Sequence, residues 1–157
     1  MKPEHLLLET LKNRSLTICT AESCTGGLIA SRITDVAGSS AYMLGGVVAY
    51  SNQIKQNILH VRESTLIEHG AVSEPTAAEM AQGVLKLFDA DFAVSVTGIA
   101  GPGGGTDQKP VGLTYIGLTG RNGLLKVERH VWEFDREGNK RASSEAALNL
   151  LLSALDH

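Results

Sequence analysis

The sequence predicts an α/β protein: a three-layer α/β/α sandwich around a mixed, partly parallel sheet of about five to six strands. Two observations predict it. The first three apolar strand-like runs are separated by segments of helical periodicity, so those strands can be joined by helices and run parallel. No helical pattern separates the third, fourth and fifth strands, so their connections should be hairpin-like and antiparallel. Residues 1–157 read as a single domain, with no internal repeat, linker or low-complexity tract.

Pro3 suits a first helical position, and Leu7, Leu8 and Leu11 share one face of a short helix ending near Asn13. The first strand is placed at residues 16–21, buried and central. After Gly26 and Gly27, the residues Leu28, Ile29, Ile33 and Val36 recur at helical spacing until Gly38. The second strand spans Tyr42 to Ser51, and its Gly45 and Gly46 mark a bulge or a close backbone approach. Helical segments follow from Asn52 and over Glu63 to Glu68. Ser73-Glu74-Pro75 then caps and opens the best helix, with its stripe running from Ala77 to Phe88. Phe92 to Thr97 is the third strand, and a glycine-rich loop runs from Gly98 to Pro110. Val111 to Thr119 and Leu124 to Phe134 form a hairpin about Arg121-Asn122-Gly123, and a closing helix covers about Arg141 to Leu155.

Composition narrows the function classes. Hydrophobic content of 43%, charge of 20% and a net charge of −3 suit a soluble protein and give nucleic-acid binding no support. Two cysteines, Cys19 and Cys24, make no disulfide scaffold and fit a reducing cytoplasm. No stretch has the length of a signal peptide core or a membrane span. The five histidines, at 5, 60, 69, 130 and 157, are scattered without metal-ligand spacing, so no metal is expected. Seventeen glycines are the unusual feature, and they suggest backbone that approaches a ligand closely.

Three unusual stretches fall at the carboxyl ends of three strands, where open α/β sheets bind ligands: Ser23 to Gly27, Tyr50-Ser51-Asn52, and Thr97 to Gly105. Ser23 precedes a helix N-terminus, whose free amides and dipole favour anions, so its hydroxyl could be a nucleophile beside an oxyanion site. On that stretch alone the simpler reading is a helix cap. Cys24 is the rival nucleophile if the helix N-terminus lowers its pKa; otherwise it is a small buried residue. Tyr50 ending a strand and Lys55 on the next helix can converge, whereas on one continuous helix they would sit roughly 140° apart. The glycine loop is either an anion nest or a set of turns, and it lacks the sequence of a P-loop.

These segments resemble one family, the CinA C-terminal domain, whose enzymatic members are nicotinamide-nucleotide amidases. Ala21-Glu22-Ser23-Cys24-Thr25-Gly26-Gly27 and Ala49-Tyr50-Ser51-Asn52 with Lys55 are similar to its first two motifs. Gly70-Ala71-Val72-Ser73 and Thr97-Gly98-Ile99-Ala100-Gly101-Pro102-Gly103-Gly104 are similar to further ones. The resemblance covers about residues 4–155 and looks like the stand-alone form. It implies deamidation of nicotinamide mononucleotide to nicotinate mononucleotide and ammonia, with no cofactor. Ser23 would be the nucleophile, Tyr50 and Lys55 would activate it, and Thr97 and Arg136 would orient the nucleotide.

The remaining candidate substrate-binding residues are Cys24, Thr25, Gly26, Gly27, Gly46, Asn52, Gly98, Gly101 and Lys140. Lys140 stands where the family often carries a second Arg, and a Lys cannot reproduce a bidentate phosphate contact. The expected chemistry has Lys55, neutralised by desolvation and nearby positive charge, taking the Ser23 proton directly or through Tyr50. Backbone amides near Cys24 to Gly27 would hold the oxyanion, and Arg136 with the glycine loop the phosphate. The expected partners are a small pyridine nucleotide and a second copy in a homo-oligomer, most simply a dimer, with no nucleic acid or membrane. The alternative is a non-catalytic nucleotide-binding or regulatory module.

Overall fold

The computed structural model describes residues 1–156, so His157, one of the scattered histidines, lies outside the described residues. The elements are α1 (Pro3–Leu11), β1 (Ile18–Glu22), α2 (Leu28–Thr34), β2 (Met43–Val48), α3 (Asn52–Asn57), α4 (Glu63–His69), α5 (Glu74–Phe88), β3 (Phe92–Gly98), β4 (Leu113–Gly120), β5 (Leu125–Val131) and α6 (Arg136–Leu155). The five strands lie in the order β2-β1-β3-β4-β5. β1 pairs parallel to β2 and β3, while β3–β4 and β4–β5 are antiparallel, as the distribution of helical connections requires.

Side-chain alternation along the strands assigns the layers. Ile18, Val94, Val96, Ile116 and Leu118 pack with Leu7, Ile29, Ile33, Leu148 and Leu151 from α1, α2 and α6. Cys19, Ala21 and Ala93 face the other way, onto Met80 and Val84 of α5 and Leu59 after α3. All five residues of β1 are buried, as a central parallel strand covered on both faces must be. β4 lets α5 settle closely: a Cβ on Gly117 would lie 2.6 Å from the Ala77 carbonyl oxygen.

Several boundaries differ from the sequence reading, each for a local reason. β1 starts at Ile18 because Thr17 is taken by Asp91, whose carboxylate accepts from the Thr17 amide at 2.9 Å and hydroxyl at 3.1 Å. β2 stops at Val48 because Ser51 caps α3, its Oγ accepting from Ile54 N at 3.2 Å. α6 begins at Arg136 rather than Arg141 because Asp135 caps it, accepting from Gly138 N at 2.8 Å. No described helix is long and apolar enough to cross a membrane.

Candidate active site

β1, β2 and β3 run parallel, so Glu22, Val48 and Gly98 end on one edge of the sheet and the chain leaves all three strands there. A cavity of about 220 Å³ opens between those exits. The 71–72 segment before α5 and Arg136 at the start of α6 complete its walls. Ser23, Tyr50 and Lys55 all line it, as do Cys24, Asn52, Thr97, Gly98 and Arg136. Thr25, Gly26, Gly27, Gly46, Gly101 and Lys140 lie outside that lining. Two larger surface grooves, of about 780 and 570 Å³, contain none of the proposed catalytic residues.

Lys55 dominates the site. It sits on α3 yet is 1% exposed, and its Nζ donates to Ser23 Oγ at 3.0 Å, Ala49 O at 2.9 Å and Tyr50 O at 3.3 Å. These oxygens are all neutral, and no carboxylate pairs with it among the described residues. Burial therefore pushes the amine below its ordinary range. The expected neighbouring positive charge is not what does this; the one charge effect, from Cys24, acts in the opposite direction. A neutral amine has two N–H groups and one lone pair. In the charged form Nζ donates to all three oxygens; in the neutral form the two carbonyls, which can only accept, take the N–H groups and the lone pair faces Ser23.

Ser23 is not the cap of α2. The cap position belongs to Gly27, in the left-handed region at φ 104°, and the helix amides are taken elsewhere. The buried Glu22 carboxylate accepts from Ile29 N at 2.8 Å and Ala30 N at 3.0 Å. The helix N-terminus is thus already occupied by a charge from within the chain. The amides of Cys24, Thr25 and Gly27 in the preceding turn donate to no acceptor among the described residues. Ser23 is fixed on both sides, its N donating to Val96 O at 2.9 Å and its O accepting from Gly26 N at 3.1 Å.

Cys24 is 8% exposed, and burial pushes its thiol up to about 12, overriding the helix effect expected from sequence. At that value the thiol stays protonated at neutral pH. Tyr50 reaches the cavity differently from the expectation. Its carbonyl touches Lys55, while its 64% exposed ring carries the hydroxyl outward to accept from Arg136 Nη2 at 3.3 Å. Arg136 Nη1 also donates to Gly101 O at 2.7 Å, and Asn139 Nδ2 to Ala100 O at 2.9 Å. At residues 100–101 the glycine loop thus turns carbonyls, not amides, toward α6. Thr97 Oγ1 donates to Ala71 O at 2.7 Å and holds the 71–72 wall. Lys140 directs its Nζ toward Gly26, one helical turn beyond Arg136. Gly46 lies on β2 against Thr20, whose side chain leaves no room for a Cβ there.

Three contributors escaped the sequence reading: Glu22, Asn139 and the Ala71–Val72 wall. Glu22 lay inside a motif already quoted, but the partners of its carboxylate are seven and eight residues on. Asn139 became assignable only once α6 was known to begin at Arg136. Among the described residues no three His, Cys, Asp or Glu side chains gather as metal ligands.

With this geometry in place, residues 2–155 match the CinA C-terminal domain. The chain belongs to the CinA C-terminal domain family. Its CinA-domain fold superposes on the crystal structure of the competence/damage inducible protein CihA from Agrobacterium tumefaciens with a TM-score of 0.95 at 42% identity. That alignment covers 99% of this chain and 94% of the other. A curated relative in Escherichia coli K12, named nicotinamide-nucleotide amidohydrolase PncC, is 48% identical over 91% of this chain and 87% of its own. A CinA-like protein of Chloroherpeton thalassium is 52% identical over 99% of this chain, but this chain covers only 38% of it. This CinA domain spans just over a third of the length of several such relatives, the one from Chlorobaculum tepidum at 37% among them.

Proposed function

We propose that this chain hydrolyses the carboxamide of nicotinamide mononucleotide, with Ser23 as nucleophile and Lys55 as base. The observation that carries this reading is the 3.0 Å contact between Lys55 Nζ and Ser23 Oγ, made by an amine that burial lowers and no carboxylate balances. An amine with a lowered pKa, held against a hydroxyl, is what a general base requires. The name of the Escherichia coli relative supports the substrate.

In the reaction, neutral Lys55 takes the Ser23 proton as Oγ bonds to the carboxamide carbon. The tetrahedral oxyanion is met by amides from among Cys24, Thr25 and Gly27, which donate to no acceptor among the described residues. The C–N bond breaks as Lys55 returns the proton to nitrogen, and ammonia leaves. Water, deprotonated by Lys55, then cleaves the Ser23 ester to release the nicotinate product, and Lys55 returns that proton to Ser23 Oγ. The geometry favours direct transfer between Ser23 and Lys55 over a relay through Tyr50, whose hydroxyl faces Arg136. A cavity of about 220 Å³ suits a planar ring and its carboxamide, leaving ribose and phosphate at the mouth near Arg136.

The test is ammonia release from nicotinamide mononucleotide by the purified protein and by Ser23→Ala. The parent should release ammonia, and the variant should bind nucleotide without turnover. A Ser23→Ala protein that still turns over would remove the nucleophile. A parent that binds but releases no ammonia would instead indicate a nucleotide-binding module.

A further inference from the structure

The scheme above leaves one buried charge unused. Glu22 is 1% exposed, and no cation pairs with it among the described residues. A buried carboxylate is tolerated only when its oxygens are well supplied with donors. Here Oε1 accepts from Thr25 Oγ1 at 2.6 Å and Ile29 N at 2.8 Å, and Oε2 from Ala30 N at 3.0 Å. Two of these donors are helix amides that any cap could satisfy. The third is different. Thr25 lies ahead of the α2 cap, so its bond to Glu22 adds nothing to the helix and instead closes a four-residue loop with Ser23 inside it.

Resting on the reading of Ser23 as nucleophile, we infer that Glu22 and Thr25 are a positioning pair that sets the Ser23 hydroxyl on Lys55. Neither touches the reacting atoms: Thr25 is 1% exposed, and its hydroxyl is committed to Glu22. The pair acts through the turn. It fixes the backbone on the far side of Ser23 from its bond to Val96, while the helix dipole and amides hold the carboxylate still. Displacement of a catalytic group by about 1 Å commonly costs about a hundredfold in rate, so a loosened turn should be visible in kcat.

Thr25→Val tests this, since it keeps the shape and removes the donor, while Thr25→Ser keeps the hydroxyl. Both are assayed for ammonia release from nicotinamide mononucleotide, for nucleotide binding by calorimetry and for thermal melting. Thr25→Val should lower kcat about 10- to 100-fold with KM and nucleotide affinity within about threefold, and Thr25→Ser should recover kcat to within about threefold of the parent. Unchanged kcat in Thr25→Val, a loss carried by KM, or an equal loss in both variants overturns the inference. Glu22→Gln should show the same split, since its amide nitrogen cannot accept from Ala30 N; should it fail to fold, the Thr25 variants still decide. Ser23→Ala, run alongside, separates the two levels. An active Ser23→Ala defeats the reading of Ser23 as nucleophile on which the pair rests, whereas an inactive one beside an unaffected Thr25→Val defeats only the positioning pair.

Discussion

Replacing Lys55 by Met keeps the side-chain length and removes the amine that holds Ser23, Ala49 and Tyr50 together. A positioned general base contributes about 10²- to 10⁴-fold, so turnover at neutral pH should fall by that factor, equivalent to about 3–5 kcal/mol of barrier. The pH dependence carries a second, independent signature. The base works only unprotonated, so activity of the parent is lost as pH falls through the Lys55 pKa, which burial places below the ordinary 10.5. Stability follows with its own sign. An amine whose pKa is depressed in the fold binds fewer protons there than in the unfolded chain, so its contribution to stability rises with pH between the folded and unfolded pKa values. The parent should therefore gain on Lys55→Met from the folded pKa up to 10.5, at no more than about 1.4 kcal/mol per pH unit. The offset between the two proteins depends on the Ala49 and Tyr50 carbonyls that Met leaves without a donor, at about 1–3 kcal/mol for each that is fully buried; the direction of the pH trend does not. Ammonia release across pH and urea unfolding from pH 7 to 10.5 measure both. Turnover of Lys55→Met within about fivefold of the parent, or a stability difference that does not move with pH, would refute the assignment of a neutral amine to this position.

Two further outcomes follow from the geometry. Arg136→Ala removes the guanidinium at the cavity mouth that Gly101 and Tyr50 hold, and steady-state kinetics should show KM raised about 10-fold or more with kcat little changed; a loss confined to kcat would place Arg136 in the chemistry instead. Gly98→Ala would set a Cβ 2.7 Å from Thr114 Oγ1, 2.9 Å from Leu113 O and 3.1 Å from Cys24 Sγ. Overpacking there should cost about 1–3 kcal/mol by urea unfolding, and an unchanged midpoint would show that the strand end relaxes freely.

The sequence made the layers legible. Helical spacing in Leu7, Leu11, Ile29 and Ile33 and the apolar runs of the first three strands, separated by helical segments, required a sheet covered on both faces, and the missing helices after β3 required antiparallel pairing there. It also put Ser23, the Tyr50 segment and the glycine loop at strand ends. Short-range patterns carry that information because helix and strand periods repeat within a few residues. Side-chain direction is a different matter. Nothing within five residues of Tyr50 says that its carbonyl, not its hydroxyl, would meet Lys55. Nothing near Cys24 says that burial would outweigh a helix terminus.

What the sequence by itself determined is therefore the order of the elements, the edge of the sheet where a site must lie, and the residue types gathered there. The tertiary structure alone decided which groups meet. Lys55 reaches Ser23 across 32 positions of chain, and Glu22 takes the helix amides that Ser23 was expected to cap. Such contacts depend on how α3 and α2 pack against β1. Burial, which lowers the Lys55 pKa and raises that of the Cys24 thiol, arises only when distant segments exclude water together.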